Sequence, residues 1–166
     1  LLSLFSNTPR GVIYSLSITS AFLSSLISNT TTALLLIPIA IFLTSNTKLK
    51  VRLVLAVAYG ASIGGILTPI GTPPNLILLG FMEDRAIESI SFVNWMILTA
   101  PLAFIMLVVI PFVLSIGVSK ISFDNELLSE EKLNGEQKRL LYILGSLVLL
   151  LLVNSEIEPF YSGLGL

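Results

Sequence analysis

Apolar residues run without a charge over residues 11–47, 53–82, 89–119 and 140–155, and a helix needs about 20 such residues to cross the hydrocarbon core of a bilayer. The pattern therefore predicts membrane helices. Two of the runs are interrupted. The centre of the first reads Ile27-Ser28-Asn29-Thr30-Thr31-Thr32, polar where a spanning helix is most apolar. Splitting it there leaves arms over 12–27 and 33–44, about 24 and 18 Å of helix, the second too short to cross. The second run carries Gly64, Gly65, Pro69, Gly71, Pro73 and Pro74 within eleven residues. Proline lacks an N–H and pushes its predecessor out of the α region, and glycine favours non-helical backbone. The expectation is two half-helices, 53–63 and 73–82, around an unwound stretch, with Thr72 as N-cap and Pro73 at the first helical position. Residues 89–119 read as a plain helix, with Phe92 and Trp95 near one interface and Pro101 and Pro111 as kinks.

Basic residues decide how the first run sits, because cytoplasmic loops carry the excess of positive charge. Arg10 precedes it and Lys48, Lys50 and Arg52 follow it, so both ends prefer the same side and the run is expected to be a re-entrant hairpin. Two ordinary spans joined by a polar turn over 28–32 are the alternative. Glu83-Asp84-Arg85 with Glu88 reads as outside; the loop 120–139, with four cations and five of the ten acids, reads as a solvated cytoplasmic linker; Glu156 and Glu158 fall outside again.

Composition agrees with a bilayer: 54% of the 166 residues are apolar and 11% charged, with mean hydropathy +0.95. The net charge of −1 gives no basic stripe, so no nucleic-acid partner is expected. With no Cys and no His, disulfides, thiol nucleophiles, zinc clusters and a Ser-His-Asp triad are excluded by inventory, and an enzyme is not expected. The chain starts at Leu1 without a charged n-region and cleavage site, so no signal peptide is expected, and the sequence reads as an internal piece of a longer protein.

Non-helical backbone at membrane depth requires protein or a water-filled cavity around it, so two interruptions imply a shared cavity. Helix N-termini beginning near Ser28 and at Pro73 favour anions. Hydroxyls and amides of Ser28, Asn29, Thr30 and Thr72 can bind carboxylate or sulfate-like oxygens, and neutral side-chain oxygens with unwound carbonyls can bind a small hard cation. No Asp or Glu precedes Glu83, which makes Na⁺ coupling easier to build than a proton relay. Broken helices around a midplane site are the secondary-transporter pattern. Ser-Asn-Thr occurs three times, at 6–8, 28–30 and 45–47, and only the middle copy is surrounded by apolar residues; the outer two belong at the rim as caps or turns. Asn29-Thr30-Thr31 also fits the glycosylation pattern, an accidental match at membrane depth.

The run from Phe22 through Ser28-Asn29-Thr30 to Ala33, followed by Gly60-Ala-Ser-Ile-Gly64-Gly65 and Gly71-Thr72-Pro73-Pro74-Asn75-Leu76-Ile77, closely resembles the divalent anion/sodium symporter (DASS) family over about residues 1–118. The resemblance implies an all-α polytopic membrane protein, a homodimer of chains with two inverted repeats, each with a re-entrant hairpin and a broken helix. Such proteins carry dicarboxylates, tricarboxylates or sulfate, usually with Na⁺, by an elevator-like motion. It further implies that Ser24, Ser28, Asn29 and Gly71 line the first Na⁺ site and that Asn29, Thr30 and Thr72 face the anionic substrate. The layout expected is a first-repeat transport region over 1–119 (hairpin 11–47, broken helix 53–82, helix 89–119), the linker 120–139 and the start of a second repeat over 140–166. No second hairpin or second Pro-Pro-Asn motif follows Arg139, so the second ion site and half of the substrate site are expected outside this sequence. An integral protein of the cell membrane is expected. An arsenite-type relative, an exchanger that uses no Na⁺ and a non-transporting membrane subunit are the alternatives.

Overall fold

A computed structural model describes residues 8–87 and 90–118, with single helical positions between 135 and 153; the expected linker and second-repeat start lie almost wholly outside the described residues. Those described form five helices and no strand: α1 (Pro9–Ser24), α2 (Asn29–Phe42), α3 (Thr47–Leu67), α4 (Pro73–Asp84) and α5 (Phe92–Ser115). Of these, α3 and α5 are long and apolar enough to cross a membrane. The 14 residues of α2 measure about 21 Å, well short of the bilayer core of about 30 Å.

Each Ser-Asn-Thr triplet ends against a helix and caps it, through a different member. Thr8 accepts from the Gly11 amide at the start of α1, Ser28 from the Thr31 amide at the start of α2, and Asn46 from the Lys48 and Leu49 amides at the start of α3. Side-chain oxygens here take up amides that the first helical turn leaves without a partner. The middle helix consequently begins at Asn29, and the turn of the hairpin is residues 25–28, slightly earlier than the polar centre of the run suggested. Its polar residues Asn29 to Thr32 form the first turn of α2.

Helices α1 and α3 run parallel in a fixed register. A β-carbon on Gly60 would meet Ser17, and one on Gly64 would meet the Ala21 backbone; four residues further on, Thr68 Oγ1 donates to the Ser25 carbonyl. Gly60 and Gly64, one turn apart, let the two backbones touch, as small residues do between membrane helices. This corrects the expectation that Gly64 and Gly65 unwind the chain. Both are helical and buried, and α3 is a continuous 21-residue helix, not a half-helix over 53–63. The break shrinks to residues 68–72. Because α1 and α3 point the same way, α2 returns the chain to the level from which α1 started.

The apolar core sits at the basal end of this trio, where Ile13 and Leu16 of α1, Leu36 and Ala40 of α2, and Leu49, Leu53 and Val57 of α3 pack together. Helix α5 lies antiparallel to α3 and is tied to it at both ends. Arg52 donates through Nη1 to the carbonyls of Leu114, at 2.9 Å, and Ile116, filling acceptors that the end of α5 leaves open. Pro101 and Pro111 fall inside α5, which stays one helix through both.

Candidate functional site

The break in α3–α4 frees backbone carbonyls, and the structure accounts for four in a row. Asn75 Nδ2 donates to the carbonyls of Gly65 (2.8 Å) and Thr68 (2.9 Å). Trp95 Nε1 donates to the Ile66 carbonyl at 2.9 Å, and Thr99 Oγ1 to that of Leu67 at 3.3 Å. Buried carbonyls left without a donor are costly, so these side chains are what makes a stable break possible. The carbonyls of Pro69, Ile70 and Gly71 remain as the oxygens of the break that no such donor claims among the described residues. Trp95, expected near one interface, is 7% exposed, and its indole spans from α5 to the end of α3.

Opposite the break lies the hairpin tip. Asn29, at the first position of α2, turns its side chain inward, and Oδ1 accepts a 2.5 Å bond from Ser24 Oγ. The Asn29 amide rests on Gly65, leaving no room for a β-carbon there. Gly71 closes on the same glycine from the other side: a β-carbon on Gly71 would lie 2.6 Å from the Gly65 carbonyl oxygen. Gly65 thus joins Ser24, Asn29 and Gly71, three of the residues singled out for a cation. All of their oxygens are neutral, a donor set that suits a hard, weakly charged cation.

The other singled-out residues are placed differently. Ser28 is exposed, and its hydroxyl caps α2 and pairs with Thr31 Oγ1 at 2.8 Å. Thr30 is exposed in the first turn of α2. Thr72 occupies the N-cap position of α4 with extended backbone, but its hydroxyl makes no capping bond, so the expected cap holds in position only. Of the first three residues of α4, Pro73 and Pro74 have no N–H, and the Asn75 amide is spent on the Thr72 carbonyl at 3.1 Å. The expectation that both helix starts offer amides to an anion therefore holds better for α2 than for α4. No Asp, Glu or His occurs from Thr8 to Met82, so the electrostatics of the site come from dipoles.

Sequence reasoning missed Gly65, Thr68, Asn75, Trp95 and Thr99 as builders of this region. The first three lie within or beside the quoted motifs, and a carbonyl count across the break would have asked for donors like Asn75. Nothing in the sequence points from Trp95 to Ile66.

Short helices meeting a broken one, whose first half α3 and neighbour α5 are both apolar enough to span a membrane, define an all-α polytopic integral membrane protein of the class that builds ion and solute sites from discontinuous helices. The chain belongs to the citrate transporter family (CitMHS), whose family model matches residues 1–162. It is similar to the sodium-dependent dicarboxylate transporter SdcS of Staphylococcus saprophyticus, 32% identical over 130 residues, covering 70% of this chain and 24% of the relative. The protein of the same name from Staphylococcus aureus strain NCTC 8325 is 31% identical over 121 residues, covering 64% and 23%. The chain spans about a quarter of the length of these curated relatives. Family membership agrees with the resemblance carried by Ser28-Asn29-Thr30 and Gly71-Thr72-Pro73-Pro74-Asn75.

Proposed function

We propose that this chain forms the first half-site of a secondary transporter of the cell membrane that moves a small di- or tricarboxylate, or a similar divalent anion, together with Na⁺. The observation that carries the reading is the Ser24–Asn29 oxygen pair held against Gly65 and Gly71, at the start of a helix too short to cross. In this reading Ser24 Oγ, Asn29 Oδ1 and the Gly71 carbonyl face the cation; Ser28 completes the set only by giving up its cap. The α2 amides with Thr30, and Thr72 across the break, face the anion. With no Lys, Arg or His beside it, a divalent anion needs a co-bound cation to offset its desolvation, which favours symport over a Na⁺-free exchanger. The re-entrant course of α1 and α2 is part of the proposal, supported by the parallel run of α1 and α3 and by basic residues at both starts. A homodimer, and a second hairpin supplying the rest of the site, come from the family resemblance alone.

The test is Asn29→Ala in the full-length protein. Uptake of labelled succinate and its Na⁺ dependence should fall together, because cation and anion share the site. Asn46→Ala, which removes only a helix cap, should leave the Na⁺ dependence intact. Equal loss in both, or undiminished uptake without Na⁺ in the unaltered protein, would overturn the reading.

A further inference from the structure

The cation site proposed above has two edges on different elements: Ser24 and Asn29 on the hairpin, and Gly71 on the broken helix. One buried residue holds both. Thr68 is 3% exposed, and its hydroxyl donates to the Ser25 carbonyl at 2.6 Å, next in the chain to Ser24. Its own carbonyl accepts from the Gly71 amide at 3.2 Å and from Asn75 Nδ2 at 2.9 Å. Beside the close packing at Gly65, Thr68 therefore supplies a hydrogen-bonded path from the hairpin tip to the break.

The register of α1 and α3 shows what this bond adds to the contacts below it. Ser17 with Gly60 and Ala21 with Gly64 are close contacts of small residues, and between the same helices the buried Ser20 hydroxyl donates to the Val57 carbonyl at 2.7 Å; all of these lie below the level of the site. The next pair up, Ser25 with Thr68, is directional, and it lies level with the site. A hydrogen bond fixes height in a way that van der Waals contact does not.

We propose that Thr68 is a positioning residue that sets how tightly the site holds Na⁺, by locking the hairpin tip to the break. The proposal rests on the functional reading above. Thr68→Val keeps the volume and deletes the hydroxyl, leaving the Ser25 carbonyl without its donor. Thr68→Ser keeps the donor.

In the full-length protein, Thr68→Val should raise the Na⁺ concentration for half-maximal succinate uptake about tenfold, the size of one buried hydrogen bond. The maximal rate at saturating Na⁺, normalised to protein in the membrane, should stay within about twofold. Thr68→Ser should stay near the unaltered value. Ser62→Ala, which removes an exposed hydroxyl bonded within its own helix to Ala58, should not move the Na⁺ response. A purely structural role would lower the amount of active protein without shifting the Na⁺ half-saturation, and that outcome overturns the proposal, as does a serine variant as impaired as the valine one. If the valine variant does not reach the membrane, Thr68→Cys, a weak donor, should give a smaller shift of about threefold, and no shift there is equally fatal. Loss of Na⁺ response in Asn29→Ala with none in Thr68→Val sinks this inference alone; indifference to Asn29→Ala sinks the functional reading beneath it.

Discussion

Gly65 and Asn29 touch so closely that the glycine cannot carry a side chain without displacing the amide. Gly65 is helical, so its role is one of space and not of unusual backbone. Gly65→Ala should therefore cost little in helix formation and much in function. The Asn29 amide must move away from Ser24, and Na⁺-dependent uptake should drop at least tenfold while membrane expression is retained. Measuring uptake against expression separates this from Gly64→Ala, where the added methyl meets the Ala21 backbone and folding itself should fail.

Trp95→Phe keeps one aromatic ring, gives up the volume of the second and removes the N–H that serves the Ile66 carbonyl. It should lower thermal stability in detergent by the equivalent of about 1 kcal/mol. A variant as stable as the parent would mean that another donor or water takes over that carbonyl.

Topology can be read by labelling, because the chain has no Cys. Single cysteines at Thr8 and Thr47, at the starts of two parallel helices, should both label from the cytoplasmic side, and one at Asp84 from the outside. Opposite labelling of Thr8 and Thr47 would replace the re-entrant hairpin with two spans.

Among the described residues the half-site contains no carboxylate or imidazole, so pH dependence arising from this half should be that of the substrate. Uptake of sulfate, fully ionised across the neutral range, should be flat between about pH 6 and 8, whereas a dicarboxylate should follow its own ionisation. A bell-shaped profile for sulfate would require a titrating group from elsewhere in the protein.

Much of this fold was legible because membrane helices are constrained by length and charge. Arg10 with Lys48, Lys50 and Arg52 led to a returning hairpin, and Pro73 marked the start of α4 correctly. Gly64 and Gly65 misled because glycine serves two purposes: it permits unwinding and it permits close approach. Only the neighbour, here α1 and the tip of α2, decides between them. Thr72 misled for a related reason, since position makes a cap possible but its hydroxyl makes no capping bond. The family resemblance put Ser24 and Asn29 at one site without pairing them, whereas Trp95 with Ile66 joins residues that share no local pattern and becomes visible only once α5 lies along α3.

The shared direction of α1 and α3 has an electrostatic consequence. Their carbonyl ends both arrive beside Gly65, where α2 and α4 also begin, so two helix C-termini and two helix N-termini gather around one glycine, with α2 the stronger positive pole because Pro73 and Pro74 carry no N–H. In the proposed function, a receptor for a cation beside an anion is thus sketched by chain direction, before any side chain is chosen. Such a field carries no proton to lose and does not rest on the charge of any one side chain. Substitutions around it should retune affinities by steps, while exchanging the preference for cation and anion would require reversing a helix.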